Sequence, residues 1–221
     1  MIKKRTLGQA VVLSGIGIHS GEPVRLELWP SDSGRISFRR TDQGGPARPL
    51  DPLLVETGRR SALGSGETAV QTIEHLLAVL YALGIDSLDI GVEGGEVPIF
   101  DGSAGPLAEA LAGAGARPLS EDAVPARIVR PLVVEEGGGR ISITPDEDLR
   151  LTYRINFPHP AIGEQALSLT LGRRRFLEEI APARTFGFLK DVPDLRRRGL
   201  ALGGSLANAL VLDDDRVING P

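Results

Sequence analysis

QTIEHLLAVLYALG (residues 71–84), followed closely by SLDIGV (residues 87–92), sets the fold class. In the first segment Ile73, Leu76, Leu77 and Leu80 recur at three- and four-residue steps, which predicts one buried helical stripe. Gly84 is a natural C-terminal cap for that helix. In the second segment Leu88, Ile90 and Val92 alternate with polar or small neighbours, which predicts a strand. The helix has two candidate starts: Thr68 with Gln71 fits a capping box, and Thr72 would be a later cap. The later start places Glu74 and His75 at the helix mouth, beside loops, where function concentrates. His75 lies off the centre of the apolar stripe.

Outward from this core, the first 45 residues read as strands. VRLELW sets Val24, Leu26 and Leu28 against Arg25 and Glu27, and RISFRR sets Ile36 and Phe38 against polar neighbours. SGIGIHSGEP (14–23) is a glycine-rich turn, and residues 43–58 read as a loop. VPIFDGSAGPLAEALAGAGA runs through a short strand into a second helix, with Ser103 as a candidate cap and Leu107, Ala110 and Leu111 inward. ARPLSEDAVPAR (116–127) is polar and Pro-bounded, the best domain boundary. Beyond it, RIVRPLVVEEGGGRISIT predicts a hairpin and LRLTYRINF a strand with Leu151, Tyr153, Ile155 and Phe157 inward. RRRFLEEIA and VPDLRRRGL predict short helices, and NALVL a late strand. Both halves run strands-then-helices, the α+β pattern, with one domain over 1–120 and a second over 127–221.

Composition narrows the function classes. The chain has 221 residues, 41% hydrophobic and 24% charged, which supports a real core. A net charge of −4 offers no polybasic surface for nucleic acid or anionic lipid. There is no cysteine, so disulfides, thiolate nucleophiles and thiolate zinc ligands are excluded and any metal must sit on His, Asp or Glu. The basic, apolar N-terminus is interrupted by Gln9, Ser14, Gly15 and Gly17, unlike a signal peptide. No stretch approaches the ~18 apolar residues of a membrane span. A cytoplasmic protein without membrane insertion, nucleic-acid ligand or evident protein partner is expected.

The chain has three histidines, His19, His75 and His159. Taken singly, each candidate has a bland reading. Glu74–His75 reads as a surface pair without the HExxH spacing of zinc proteases, Asp101 as an Asx-turn, and RTFGF (184–188) as a loop on the core.

Taken together and in order, GIGIHSG, FRRTD, TIEHLLAVLYALGID, VPIFDGSAGPL, INFPHPAI, ARTFGFLKD and GLALGGSLANALVLDD resemble the UDP-3-O-acyl-N-acetylglucosamine deacetylase family. That resemblance spans the whole chain. It implies two similar α+β domains whose helices pack between two outer sheets. It also implies a catalytic Zn²⁺ held by two histidines and an aspartate, with a water that the metal activates to hydrolyse the acetamide of an acylated UDP-sugar in lipid A synthesis. His75 matches the first zinc ligand, Glu74 the general base, and Thr185 the donor to the oxyanion. Phe157 and Phe186 match aromatics contacting substrate. LALGGS, with Gly204 and Ser205, resembles part of an insert, about 188–212, that forms an acyl passage. Asp101 and His19 match supporting positions, and His159 reads as structural.

The family's remaining zinc ligands belong to a His-Lys-x-x-x-Asp stretch that does not occur before Pro221. The expectation is therefore an incomplete second domain and little activity of this polypeptide alone. The alternative is a non-catalytic module on the same scaffold that binds a sugar nucleotide or acyl chain.

Overall fold

Alternation in VRLELW has the predicted consequence: β3 (Pro23–Pro30) buries Val24, Leu26 and Leu28 and turns Arg25 and Trp29 outward. The computed structural model describes residues 2–51, 55–57 and 60–220. β3 lies in a five-stranded sheet with β2 (Val11–Ile16), β9 (Leu88–Glu93), β4 (Ile36–Arg40) and β5 (Arg48–Pro49), ordered β2-β3-β9-β4-β5. β9 sits centrally, antiparallel to β3 and parallel to β4, and buries Leu88, Ile90 and Val92.

Two helices cover one face of this sheet. α1 (Glu74–Leu83) buries Leu76, Val79, Leu80 and Leu83, while α2 (Gly105–Ala114) buries Leu107, Ala108, Leu111 and Ala114. These side chains form one apolar cluster with Leu26, Leu28, Phe38 and Ile90 from the sheet. Each fully buried leucine contributes roughly 1.5–3 kcal/mol to holding the layers together. Gly84 closes α1 with φ 65°, the left-handed conformation that favours glycine, and its N–H bonds to the carbonyls of Leu80 and Tyr81.

Local differences from the expected elements have physical causes. Neither proposed threonine caps α1: Ile73 precedes the helix with no side-chain cap bond. Thr68 ends a short 3₁₀ turn, and the Thr72 hydroxyl is used elsewhere. ARPLSED, read only as part of a polar domain boundary, has regular structure. It is β10 (Ala116–Asp122), paired antiparallel with β1 (Lys3–Leu7), because pairing satisfies its backbone while its polar side chains stay in water. The loop read over 43–58 contains β5 and β6 (Val55–Thr57), and β6 joins β7 (Ser61–Leu63) and β8 (Val70–Gln71) in a small sheet. Residues 52–54, 58 and 59 lie outside the description.

The second half is built from hairpins and short helices, so the molecule is α+β throughout. β11 (Leu132–Glu136) pairs with β12 (Gly139–Ile143) around Gly137 and Gly138, and β13 (Arg150–Phe157) pairs with β14 (Gly163–Thr170). The expected inward set on β13 is only partly realised. Leu151 and Tyr153 are exposed, Ile155 and Phe157 half-buried, because no described element covers that end of the hairpin. α3 (Arg173–Arg175) continues into a π-helical turn, Phe176–Ile180. Phe176 and Ala181 there are buried in the first-half cluster, so the α3 segment packs into the same core as α1 and α2. β15 (Phe186–Phe188) and β16 (Leu210–Leu212) pair in parallel, connected through α4 (Val192–Arg197).

Candidate active site

The mouth of α1 is set by its approach. Val97 N–H bonds to Gln71 O and Ile73 N–H to Ser61 O, drawing β7, β8 and the 95–97 segment to one point. Thr72 turns through φ 57° before the helix starts. Glu74 then reaches back, and its Oε2 accepts the Ser61 N–H at 3.0 Å. That bond fixes one carboxylate oxygen and leaves Oε1 without a hydrogen bond among the described residues. The first helical turn also favours a negative charge there. His75, half-buried, follows on the same turn.

The turn 17–21 closes on this mouth. His19 N–H and Ser20 N–H both bond to the buried carboxylate of Glu96. The His19 ring is also fixed, its Nδ1 accepting the Ala201 N–H at 3.3 Å. Burial pushes the His19 imidazole below its ordinary value, and the Arg60 guanidinium acts in the same direction. The carboxylates of Glu96 and Glu74 pull the other way without prevailing. His19 therefore stands within electrostatic reach of Glu74, although they are far apart in sequence.

Thr185 is placed from the other side. Its N–H bonds to Gly102 O at 2.8 Å, and its carbonyl accepts the Leu210 N–H at 2.8 Å. The DGS turn it leans on is an Asx-turn: Asp101 Oδ1 accepts both the N–H and the hydroxyl of Ser103. Arg184 donates from Nε to Asp101 O and from Nη2 to Leu206 O, tying that turn to the later loop. Phe186 meets Phe157 edge-on at 5.7 Å between ring centroids, and Phe188 packs against both. Phe188 was not singled out in the sequence; its place two residues from Phe186, on the same face of β15, was the available signal. His159 packs at a tilt against Phe188, accepts the Ala161 N–H at Nδ1 and pairs through Nε2 with Asp213 O. With Nδ1 accepting, Nε2 is the donor, and the ring is a buried tie between two loops.

The 200–209 segment joins the two sides. Leu202 and Gly203 N–H groups bond to the carbonyls of His19 and Ile18, and a Cβ on Gly203 would collide with Gly17 O. Gly204 N–H bonds to Ala201 O. Ser205 N–H bonds to Asn208 Oδ1, and its hydroxyl accepts the Ala207 N–H. Gly204 and Ser205 thus form a tight turn in this bridge. Among the described residues no direct hydrogen bond joins Thr185 to Glu74 or His75; the connection runs through this segment. A pocket lined by Trp29, Ser37, Arg39 and Asp89 opens on the five-stranded sheet and includes none of these groups.

Comparison with known proteins bears on what this arrangement is. The family model described as LpxC, UDP-3-O-acyl N-acetylglycosamine deacetylase, matches residues 4–221. The chain belongs to this family of deacetylases. It is 43% identical over 221 residues to the UDP-3-O-acyl-N-acetylglucosamine deacetylase of Nitratidesulfovibrio vulgaris, covering 99% of this chain and 71% of that protein. It is also 43% identical to the corresponding enzyme of Nautilia profundicola, covering 99% and 75%, and 40% identical to that of Thermodesulfovibrio yellowstonii, covering 98% and 75%. The zinc that the sequence resemblance implies would need several donors held together. Among the described residues no group of three His, Asp or Glu converges. His75 would be one donor and Glu74 is engaged by Ser61, so the described groups do not fit a closed tetrahedral zinc site. No helix among the described residues is long and apolar enough to cross a membrane.

Proposed function

We propose that this chain carries the base and the oxyanion donor for hydrolysing the acetamide of UDP-3-O-acyl-N-acetylglucosamine, to UDP-3-O-acyl-glucosamine and acetate. The observation that carries this reading is the state of Glu74: one oxygen is pinned by the Ser61 N–H, and the other, at a helix mouth, has no hydrogen bond among the described residues. Glu74 Oε1 takes a proton from water as the water oxygen bonds to the amide carbon. The Thr185 hydroxyl donates to the resulting oxyanion. The C–N bond then breaks, and the proton held by Glu74 is available to the leaving amine. Phe157 and Phe186 supply apolar surface to the sugar nucleotide, and Gly204 and Ser205 line the approach of the acyl chain in the 188–212 insert. His75 is proposed as a single zinc donor, which by itself holds the metal loosely.

The same reading divides the chain into domains at 1–120 and 127–221 and places it in the cytoplasm. That no three His, Asp or Glu converge among the described residues also favours a second reading, in which the chain binds the acylated UDP-sugar without turning it over.

Acetate release with added zinc tests both. Turnover at or near background is expected, and any turnover present falls at least ~10²-fold in Glu74→Gln. Robust turnover that survives both Glu74→Gln and His75→Ala would refute the assignment.

A further inference from the structure

Glu96 is 2% exposed, and both of its carboxylate oxygens are satisfied. Oε1 accepts the Thr72 hydroxyl at 2.8 Å and the His19 N–H at 3.0 Å. Oε2 accepts the Ser20 N–H at 3.0 Å and the Ser20 hydroxyl at 2.8 Å. All four donors are neutral. A carboxylate buried this deeply is costly unless such bonds compensate, and an apolar side chain could fill the same volume without that cost. What the carboxylate adds is a fixed junction of three chain segments.

One of those segments is strained. Thr72 adopts φ 57°, a conformation that β-branched residues avoid. Such outliers persist only where the surroundings over-determine them, and they cluster at functional sites. Here the surroundings are visible. The Thr72 hydroxyl is held by Glu96, and the flanking Gln71 and Ile73 N–H groups bond to Gly95 O and Ser61 O. Thr72 stands just ahead of Glu74 and His75, so its backbone sets the direction in which the helix mouth presents them. The second segment is the turn carrying His19 and Ser20, which approaches so closely that a Cβ on Gly17 would collide with Glu96 Oε2. That turn in turn holds the 200–203 segment through His19 O and Nδ1.

We propose that Glu96 is a positioning residue of the candidate active site, coupling the helix mouth that presents Glu74 and His75 to the turn that carries His19. The role rests on the assignment of Glu74 and His75 to that site. Glu96 touches no reacting atom; it acts through Thr72 on one side and through the His19–Ser20 turn on the other.

The coupling is readable without turnover, because the chain's three histidines give separable ring signals in ¹H–¹³C NMR. Ser20→Ala removes a donor from the turn and touches no residue of α1, yet the His75 ring signal is expected to move. Thr72→Val removes a donor from the helix approach and touches no bond of the His19 ring, yet the His19 signal is expected to move. Thr72→Ser is expected to bring the His19 signal back toward the wild-type position. The His159 signal, tied to Asp213 O on another part of the molecule, is expected to stay.

Folded Ser20→Ala and Thr72→Val variants with unmoved His75 and His19 signals would overturn the proposal. So would equal displacement of all three histidines, the mark of general loosening. Should Thr72→Val not fold, Ser20→Ala decides alone. Adding UDP-3-O-acyl-N-acetylglucosamine to the wild-type chain separates the two readings: an unmoved His75 signal there undoes the deacetylase site and leaves the coupling, read without ligand, standing.

Discussion

Arg40 shows how much one side chain can organise. Its Nε and Nη2 grip both oxygens of Asp42, and its Nη1 donates to Glu67 O and Ala69 O on the segment that feeds β8 and α1. That grip is the main reason the Asp42 carboxyl lies below the usual carboxylate range. Arg40→Lys keeps the charge but loses the two-pronged geometry, so a loss of about 2 kcal/mol is expected in denaturant unfolding. Unchanged stability would show the fork to be idle.

His19 gives a pH prediction at the same scale. Its folded value lies below the ordinary 6.5, chiefly through burial. Glu96, Arg60 and Glu74 are the charged groups that act on it. The unfolded chain therefore binds the proton more readily than the folded one. Stability from neutral His19 is fully present above 6.5 and is lost as pH falls through the depressed value. Protonation would also set a second N–H against the Ala201 N–H. Melting curves across this range should decline toward acid more steeply for wild type than for His19→Gln; parallel curves would contradict this. The adjacency of Glu74 and His75 was legible in the sequence because both lie on one short segment. The roles of Glu96 and the His19 ring were not, because their partners lie up to 182 residues away and leave no local period.

At the scale of elements, α1 was readable in outline: Ile73, Leu76 and Leu80 are buried as read and Gly84 marks its end, while Leu77 is half-buried and the buried Val79 and Leu83 were missed. The start of α1 was not readable. Two threonines had the right chemistry for a cap, but the buried Glu96 claimed the hydroxyl of Thr72, a tertiary demand that outweighs local preference. That residues 116–122 form a strand was not read, because an exposed polar strand shows no apolar period until its partner is known. The helix itself carries a direct prediction. Leu76 is fully buried between the sheet and α2, so Leu76→Ala should cost about 3 kcal/mol in chemical denaturation. A cost under about 1 kcal/mol would mean that α1 is not the centre of this core.

For the molecule as a whole, the two halves differ in how they bury their strands. The five-stranded sheet has a helical layer over it, while the hairpins of the second half expose Val134, Ile141, Tyr153 and Leu167. Apolar faces of this kind drive association. Replacing Tyr153 and Leu167 together by threonine should reduce concentration-dependent light scattering without lowering the melting temperature, and unchanged scattering would exclude that face as its source. The strand-then-helix order that identified the fold class was visible in the sequence; which hairpin side chains stay exposed among the described residues was not, because alternation reports which side is apolar and not what covers it. The central claim is that Glu74, His75 and Thr185 face one substrate. It is tested most directly by titrating the chain with UDP-3-O-acyl-N-acetylglucosamine while following the His75 ring and the Thr185 amide by NMR. Both signals are predicted to move together with a single midpoint; if neither moves, or only residues around Trp29 and Asp89 respond, the site lies elsewhere.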